Sequence, residues 1–78
     1  MRDQLRNSID VQIGERVAIY RNSASVSLER AAEYCGLSPE DYSAGEQGER
    51  RFRANELFEL AMCFGVRFST FVIGLMVK

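Results

Sequence analysis

Apolar side chains recur at helical spacing near the start of the chain. Ile9, Ile13, Val17 and Tyr20 follow one another at intervals of four, four and three residues. This spacing places side chains on one face of an α-helix. The pattern therefore predicts an amphipathic first helix that ends around residues 21–23.

Two short helices joined at a glycine are predicted next. Ser27 is suited to cap the start of the second helix, and Gly36 supplies the left-handed backbone that ends it. Ser38 and Pro39 are the cap and first residue of a third helix, which ends at Gly48. Two short helices with a tight turn between them are typical of a helix-turn-helix.

The most regular apolar stripe lies in the last third of the chain. It consists of Leu57, Leu60, Ala61 and Phe64, with Phe58 beside them. Gly65 ends this fourth helix, and Ser69 could cap a short fifth helix that ends at Gly74.

No stretch alternates strongly enough to predict a strand, and no internal repeat is present. We therefore predict an all-α fold, a compact five-helix bundle containing a helix-turn-helix. Residues 9–75 would form the domain, residues 1–8 a flexible or helix-extending N-terminus, and residues 76–78 the C-terminal end.

The composition narrows the possible chemistry. The 78 residues include no histidine and two cysteines, Cys35 and Cys63, both in apolar helical surroundings. We expect buried free thiols, for which a disulfide is the alternative. We also expect no metal and no cofactor, and the sequence gives no support for an enzyme. No signal peptide is present, and the longest apolar run is far short of the roughly 20 residues of a membrane helix. We therefore expect a cytoplasmic protein that does not enter a membrane.

Acidic and basic residues are unevenly placed along the chain, whose formal net charge is −1. The predicted helix-turn-helix at residues 27–46 carries five acidic residues and a single arginine. Arg50, Arg51 and Arg53 follow it closely. Arginines of this kind can bind nucleic-acid phosphates, whereas the acidic stretch is unusual for a DNA-binding element.

Taken in order, these residues resemble the XRE family of helix-turn-helix regulators, which includes the phage repressor and Cro proteins. The matching positions are Ile13-Gly14-Glu15-Arg16-Val17, Tyr20-Arg21, Val26-Ser27, Glu29, Ala32, Gly36, Ser38, Tyr42, Ser43, Glu46-x-Gly48 and Leu57-x-x-Leu60-Ala61-x-x-Phe64-Gly65-Val66. The ending Arg51-x-x-Ala54-x-x-Leu57-Phe58-Glu59-Leu60-Ala61 with Phe71-x-x-Gly74-Leu75 is similar to a bacterial subgroup of that family. The resemblance spans roughly residues 9–75. It implies a lambda-repressor-like DNA-binding domain whose third helix enters the major groove of double-stranded DNA.

The resemblance also implies roles for individual residues. Arg21 and Glu46 match a partly buried ion pair between the first and third helices, although two solvated surface charges are the alternative. Phosphate contacts are implied at Ser27, Arg50, Arg51 and Arg53, where the alternative is a solvated loop. Base contacts are implied at Ser38, Glu40, Ala44 and Gln47.

The sequence departs from the family at several of these positions. Leu28 stands where the family usually has a glutamine that contacts DNA. Gly45 replaces a bulky apolar residue, so the third helix is either loosely held or the space is filled by Phe52. Glu40 could accept a hydrogen bond from a cytosine amino group or, like Asp41, simply stabilise the helix N-terminus.

Two functions follow from these observations. The first is a transcriptional regulator, expected to be a repressor, that binds its operator as a homodimer. Its dimer contacts would be Phe71, Val72, Leu75 and Met76, for which membership of the core is the alternative. The second is a protein-interaction module that kept the fold but lost base-specific DNA binding.

Overall fold

Five α-helices follow one another in the computed structural model, which describes residues 8–75. They are α1 (Ser8–Ser23), α2 (Leu28–Tyr34), α3 (Pro39–Glu46), α4 (Ala54–Phe64) and α5 (Ser69–Val72). No strand is present within that range. The predicted all-α fold is thus confirmed. The expectations for the first seven and last three residues lie outside the described residues.

The turns around α2 and α3 form as their sequence predicts. The backbone N–H of Arg30 donates to Ser27 Oγ at 3.0 Å, and that of Asp41 donates to Ser38 Oγ at 3.1 Å. These bonds satisfy amide groups that a helix start leaves without a partner. Gly36 ends α2 with a φ of +77°, a left-handed conformation that favours glycine.

The short helix α5 differs from the prediction at its first residue. Ser69 is the first helical residue and not the cap, because Phe68 occupies the cap position with helical backbone angles and no side-chain cap bond. The C-terminal end of α5 is capped by a side chain of α1. Arg16 Nη1 donates to the Ile73 carbonyl oxygen at 2.5 Å. A guanidinium at this position also suits the negative end of the helix dipole.

The core receives buried side chains from all five helices, including Ala31 and Ala32 of α2. Its largest fully buried side chains are Tyr42, Phe71, Leu60 and Val17. The Phe71 ring packs edge-on against Phe64 and Tyr20, with ring centroids 6.2 and 6.4 Å apart. The prediction that Phe71 contacts a dimer partner is therefore wrong, because this side chain is fully buried and belongs to the core.

Close packing of α1 against α3 depends on glycines. A methyl group at Gly14 would overlap the carbonyl oxygens of Gly45 and Glu46, so the two backbones could not approach as they do. A methyl group at Gly45 would overlap the Phe52 ring. Phe52 is only 6% exposed, and its ring centroid lies 5.6 Å from that of Tyr42. Of the two alternatives for Gly45, the structure therefore supports filling by Phe52, and the inward side of α3 packs against both α1 and Phe52.

Candidate nucleic-acid interface

The inward side of α3 is fixed by a network around Glu46. Arg21 binds this carboxylate with two nitrogens, Nε at 2.6 Å and Nη2 at 3.2 Å. The Tyr42 hydroxyl donates to the same carboxylate at 2.5 Å. Arg21 also donates to the Val26 carbonyl oxygen at 3.0 Å, which ties the α1–α2 turn to α3. The predicted Arg21–Glu46 ion pair is present, and its side chains are 14% and 10% exposed.

The chemistry of this network keeps its charges fixed. Burial, together with the hydrogen bond to Glu46, raises the pKa of Tyr42, so the phenol stays protonated and continues to donate. The hydrogen bond to Glu46 raises the pKa of Arg21 against the opposing effect of burial. Every buried side-chain nitrogen and oxygen in residues 8–75 has a hydrogen-bond partner, as expected for a rigid polar network.

The outward side of α3 is open to solvent. Ser38, Glu40 and Gln47 are exposed, and Ala44 is half-buried between them. Glu40, Ala44 and Gln47 thus lie along one accessible side of α3, whereas Ser38 precedes the helix and serves as its cap. The Gln47 side-chain nitrogen donates to Ser43 Oγ at 3.2 Å, a bond within the helix.

A shallow depression of about 440 Å³ runs between this side of α3 and the start of α2. Its lining consists of Leu28, Pro39, Glu40, Ser43, Ala44, Gln47 and Glu49. Three of the four predicted base-contacting residues are included, together with Leu28, where the expected glutamine is absent. The charged side chains that residues 8–75 contribute to the lining, Glu40 and Glu49, are both acidic.

The three loop arginines do not share one environment. Arg50 binds Glu56 with Nη1 at 3.0 Å and Nη2 at 3.1 Å, and its side chain is 25% exposed. Arg51 Nε contacts Asp10 at 3.1 Å, but the Arg51 side chain is 68% exposed. Arg53 is exposed, and within residues 8–75 its side chain makes no hydrogen bond or ion pair.

Glu56 organises the start of α4 from a nearly buried position, at 5% exposure. It accepts the backbone N–H of Arg53 at 2.8 Å in addition to the two bonds from Arg50. Burial alone would raise the pKa of Glu56, but these hydrogen bonds outweigh it and lower the pKa below its ordinary 4.5. The Arg50 guanidinium is therefore already bound to Glu56 at the start of α4 and is less available to a ligand.

Sequence reasoning missed both acidic partners of these arginines. Glu56 stands three residues after the cap position Arg53, which is where a glutamate reaches back to a helix start, so a local signal existed. Asp10 gives no such signal, because it is 41 residues away from Arg51.

The phosphate-contact prediction for Ser27 is compatible with its cap role. Its oxygen accepts the Arg30 N–H, but a hydroxyl has a hydrogen of its own to donate and the residue is exposed. Ser27 can therefore cap α2 and still donate to an anion.

The two cysteines carry no sign of reactivity. Both are free and partly buried, so the prediction of free thiols is confirmed, while their burial is less complete than expected. Burial raises the pKa of Cys35 to about 11 and raises that of Cys63 as well, which disfavours the reactive thiolates.

Within residues 8–75 no cluster of acidic or cysteine side chains could hold a metal ion. None of the helices in that range is long and apolar enough to cross a membrane.

Apolar side chains form a second exposed feature, on the outer side of α4. Phe58 and Met62, one turn apart, are 53% and 66% exposed. The Phe58 ring stacks on that of Phe68, with centroids 4.3 Å apart. We call Phe58, Met62 and Phe68 the α4 patch.

Comparison with known proteins finds similarity in structure only. No protein-family model and no curated protein matches the chain. The clp gene regulator ClgR from Corynebacterium glutamicum superposes with a TM-score of 0.80 at 20% identity, over 87% of this chain and 72% of that one. The restriction-modification controller protein C.AhdI from Aeromonas hydrophila superposes with a TM-score of 0.76 at 22% identity, over 83% of this chain and 98% of that one. The chain therefore has the helical fold of these two regulatory proteins.

Proposed function

We propose that this chain is a DNA-binding transcriptional regulator that acts in the cytoplasm as a homodimer, with α3 in the major groove. The observation that carries the proposal is the build of α3, whose inward side is fixed by Arg21 and Tyr42 while its outward side is open to solvent. A recognition helix needs one fixed side and one accessible side, because a base contact requires a side chain that is both accessible and precisely positioned. The shared fold with a gene regulator and a controller protein supports the same function.

Phosphate binding falls mainly to Arg51 and Arg53 in this proposal. Both residues are exposed in the loop between α3 and α4, and the Arg51–Asp10 pair is too exposed to hold its arginine strongly. Arg50 takes a smaller part, because a phosphate would have to displace Glu56 from it.

The experiment is a titration of fluorescent DNA duplexes at several salt concentrations. Arg51→Ala and Arg53→Ala should each lower the slope of log affinity against log salt by about 0.9 for the phosphate contact they remove. Arg67→Ala is the matched control, since this exposed arginine follows the opposite end of α4 and should leave the slope unchanged. Affinity that does not depend on salt, or no binding to any duplex, would refute the proposal.

Dimerisation is proposed through the α4 patch together with the end of α5. Val72 and Leu75 are half-buried and stay candidates for this contact, although Val72 also packs against the core. Phe71 is excluded by its burial, and Met76 lies outside the described residues. The exposed Phe58 and Met62, with Phe58 stacked on the half-buried Phe68, form an apolar surface that suits a two-fold contact, in which the same surface meets its copy. Met62→Glu should convert a dimer to a monomer in sedimentation velocity. Tyr34→Glu, an exposed aromatic position on α2, should not. A wild-type protein that sediments as a monomer at high concentration would exclude the dimer.

A protein-interaction module is the second candidate. The acidic residue that α3 places in the depression favours it, because the exposed Glu40 would repel phosphate and attract a basic partner. Capture of a stable protein partner by the wild-type chain, combined with no binding to any duplex at low salt, would support this function over DNA binding.

A further inference from the structure

The side chains that line the depression beside α3 restrict which DNA bases this surface can contact. Among residues 8–75, its charged groups are the carboxylates of Glu40 and Glu49, and no arginine or lysine of that range contributes to its lining. The usual reader of guanine is a cation that donates to the guanine O6 and N7 atoms. At Glu40 this surface therefore presents negative charge where a guanine-reading protein presents positive charge.

Glu40 is the group best placed to contact a base. It lies in the first turn of α3, it is exposed, and its side chain makes no hydrogen bond or ion pair with residues 8–75. Its carboxylate oxygens are thus available as acceptors. By contrast, Gln47 already donates to Ser43, and Ala44 has no polar group.

The pattern of groups in the major groove then selects the base. Guanine presents two acceptors, which a carboxylate repels, while cytosine presents the N4 amino donor. Adenine presents an N6 donor next to the N7 acceptor, so one carboxylate oxygen would meet a lone pair. In a C·G pair the guanine O6 lies on one side of the cytosine amino group, but the other side carries only the cytosine C5–H, so a carboxylate that approaches from that side meets no acceptor. Cytosine is therefore the base that fits Glu40 best.

The apolar part of the depression adds a second preference. Leu28 and Ala44 line it and offer carbon surface where a glutamine would offer hydrogen bonds. The C5-methyl of thymine is the apolar group that the major groove displays. A thymine next to the cytosine would place this methyl against Leu28 and Ala44.

We infer that Glu40, set beside the Leu28–Ala44 surface in the depression, makes this chain select cytosine, with an adjacent thymine, and reject guanine at the contacted position. The inference rests on the proposed function, since it concerns how a DNA-binding α3 would choose its site. Base recognition by the Glu40 carboxylate differs from the more usual recognition of guanine or adenine by a long cationic or amide side chain.

Selection from a pool of randomised duplexes tests the inference. The wild-type chain and Glu40→Ala are selected in parallel, and the contacted position is the one at which the two sets of selected sequences differ. Wild type should prefer cytosine there by about 5- to 100-fold over guanine, a preference that Glu40→Ala loses. Asp41→Asn is the matched control: it removes the same charge from the next residue, which is exposed but outside the depression, and should leave the base preference unchanged.

A base analogue gives a second readout that does not depend on protein variants. Replacing the selected cytosine with 2-pyrimidinone, which lacks the amino group, should reduce wild-type affinity by at least about fivefold and leave that of Glu40→Ala unchanged. Selection of guanine by the wild type, or identical preferences in both proteins, would overturn the inference while the proposed function stands. No binding to any duplex at low salt would overturn the proposed function and the inference with it.

Discussion

The two sides of α3 are built on opposite principles. On the inward side, Tyr42, Gly45 and Glu46 are all committed to contacts with α1 or with Phe52. On the outward side, Glu40 and its neighbours make few bonds beyond their own helix. Precise recognition by the outward side depends on rigidity of the inward side, because side chains can select a ligand only if their helix does not move.

The strongest test of this division removes the carboxylate at the centre of the inward side. Glu46→Ala should lower the free energy of unfolding by about 3–5 kcal/mol, because it leaves the Arg21 guanidinium and the Tyr42 hydroxyl without their acceptor. Urea denaturation measures the loss. Glu33→Ala, which removes an exposed acid from α2, is the control and should change stability by less than about 0.5 kcal/mol.

A double variant separates two quantities: the net contribution of the Arg21–Glu46 ion pair to stability, and the loss of stability when one charge is left without its partner. Replacing Arg21 by Met and Glu46 by Leu together should cost less than Glu46→Ala alone, because no charge is then left unpaired. A loss of under about 1 kcal/mol in Glu46→Ala would show that these charges are solvated and do not fix α3.

The next test concerns the carboxylate under the arginine loop. The pKa of Glu56 is lower in the folded chain than its ordinary 4.5. Its ion pair with Arg50 therefore stabilises the fold fully above pH 4.5, and this contribution is lost as the pH falls through the lowered pKa. Glu56→Gln should lower the unfolding free energy by about 1.5–3 kcal/mol at pH 7 and show a shallower decline in acid.

The matched control for the acid titration is Glu59→Gln, an exposed glutamate on the same helix. It should keep the wild-type decline below pH 4.5. If Glu56→Gln and wild type lost stability in parallel as the solution is acidified, the Glu56–Arg50 pair would not be the source of the dependence.

The contact between α1 and α3 can be tested by adding a methyl group, whereas the previous variants remove a carboxylate. Gly14→Ala should lower the unfolding free energy by about 1–3 kcal/mol, because the new methyl overlaps the backbone of Gly45 and Glu46 and forces the helices apart. Because α3 shifts with it, DNA affinity measured on the folded fraction should also fall. Glu15→Ala, at the next and exposed position, should affect neither measurement. Wild-type stability in Gly14→Ala would mean that the two helices need not approach so closely.

The sequence predicts the inward side of α3 better than the outward side. Periodicity and caps identified the five helices, since these signals are local, and the resemblance supplied the Arg21–Glu46 pair. Whether Phe52 would fill the space at Gly45 was open, because the answer depends on how a loop folds back over a helix. The Arg51–Asp10 contact joins distant parts of the chain and has no local pattern. The base preference of Glu40 depends on the whole lining of the depression, which only the three-dimensional arrangement brings together.

The smallest effect on stability is expected on the outward side. Asp41→Asn should change the unfolding free energy by no more than about 0.3–1 kcal/mol, since the exposed Asp41 carboxylate lies in the first turn of α3 and acts mainly on the helix dipole. It should nevertheless raise affinity for every duplex alike, because one negative charge leaves the face that meets the phosphates. Urea denaturation and salt-dependent titration of the same sample separate the two effects. A large loss of stability in Asp41→Asn would show that the outward side supports the fold as well, and the division between the two sides of α3 would not hold.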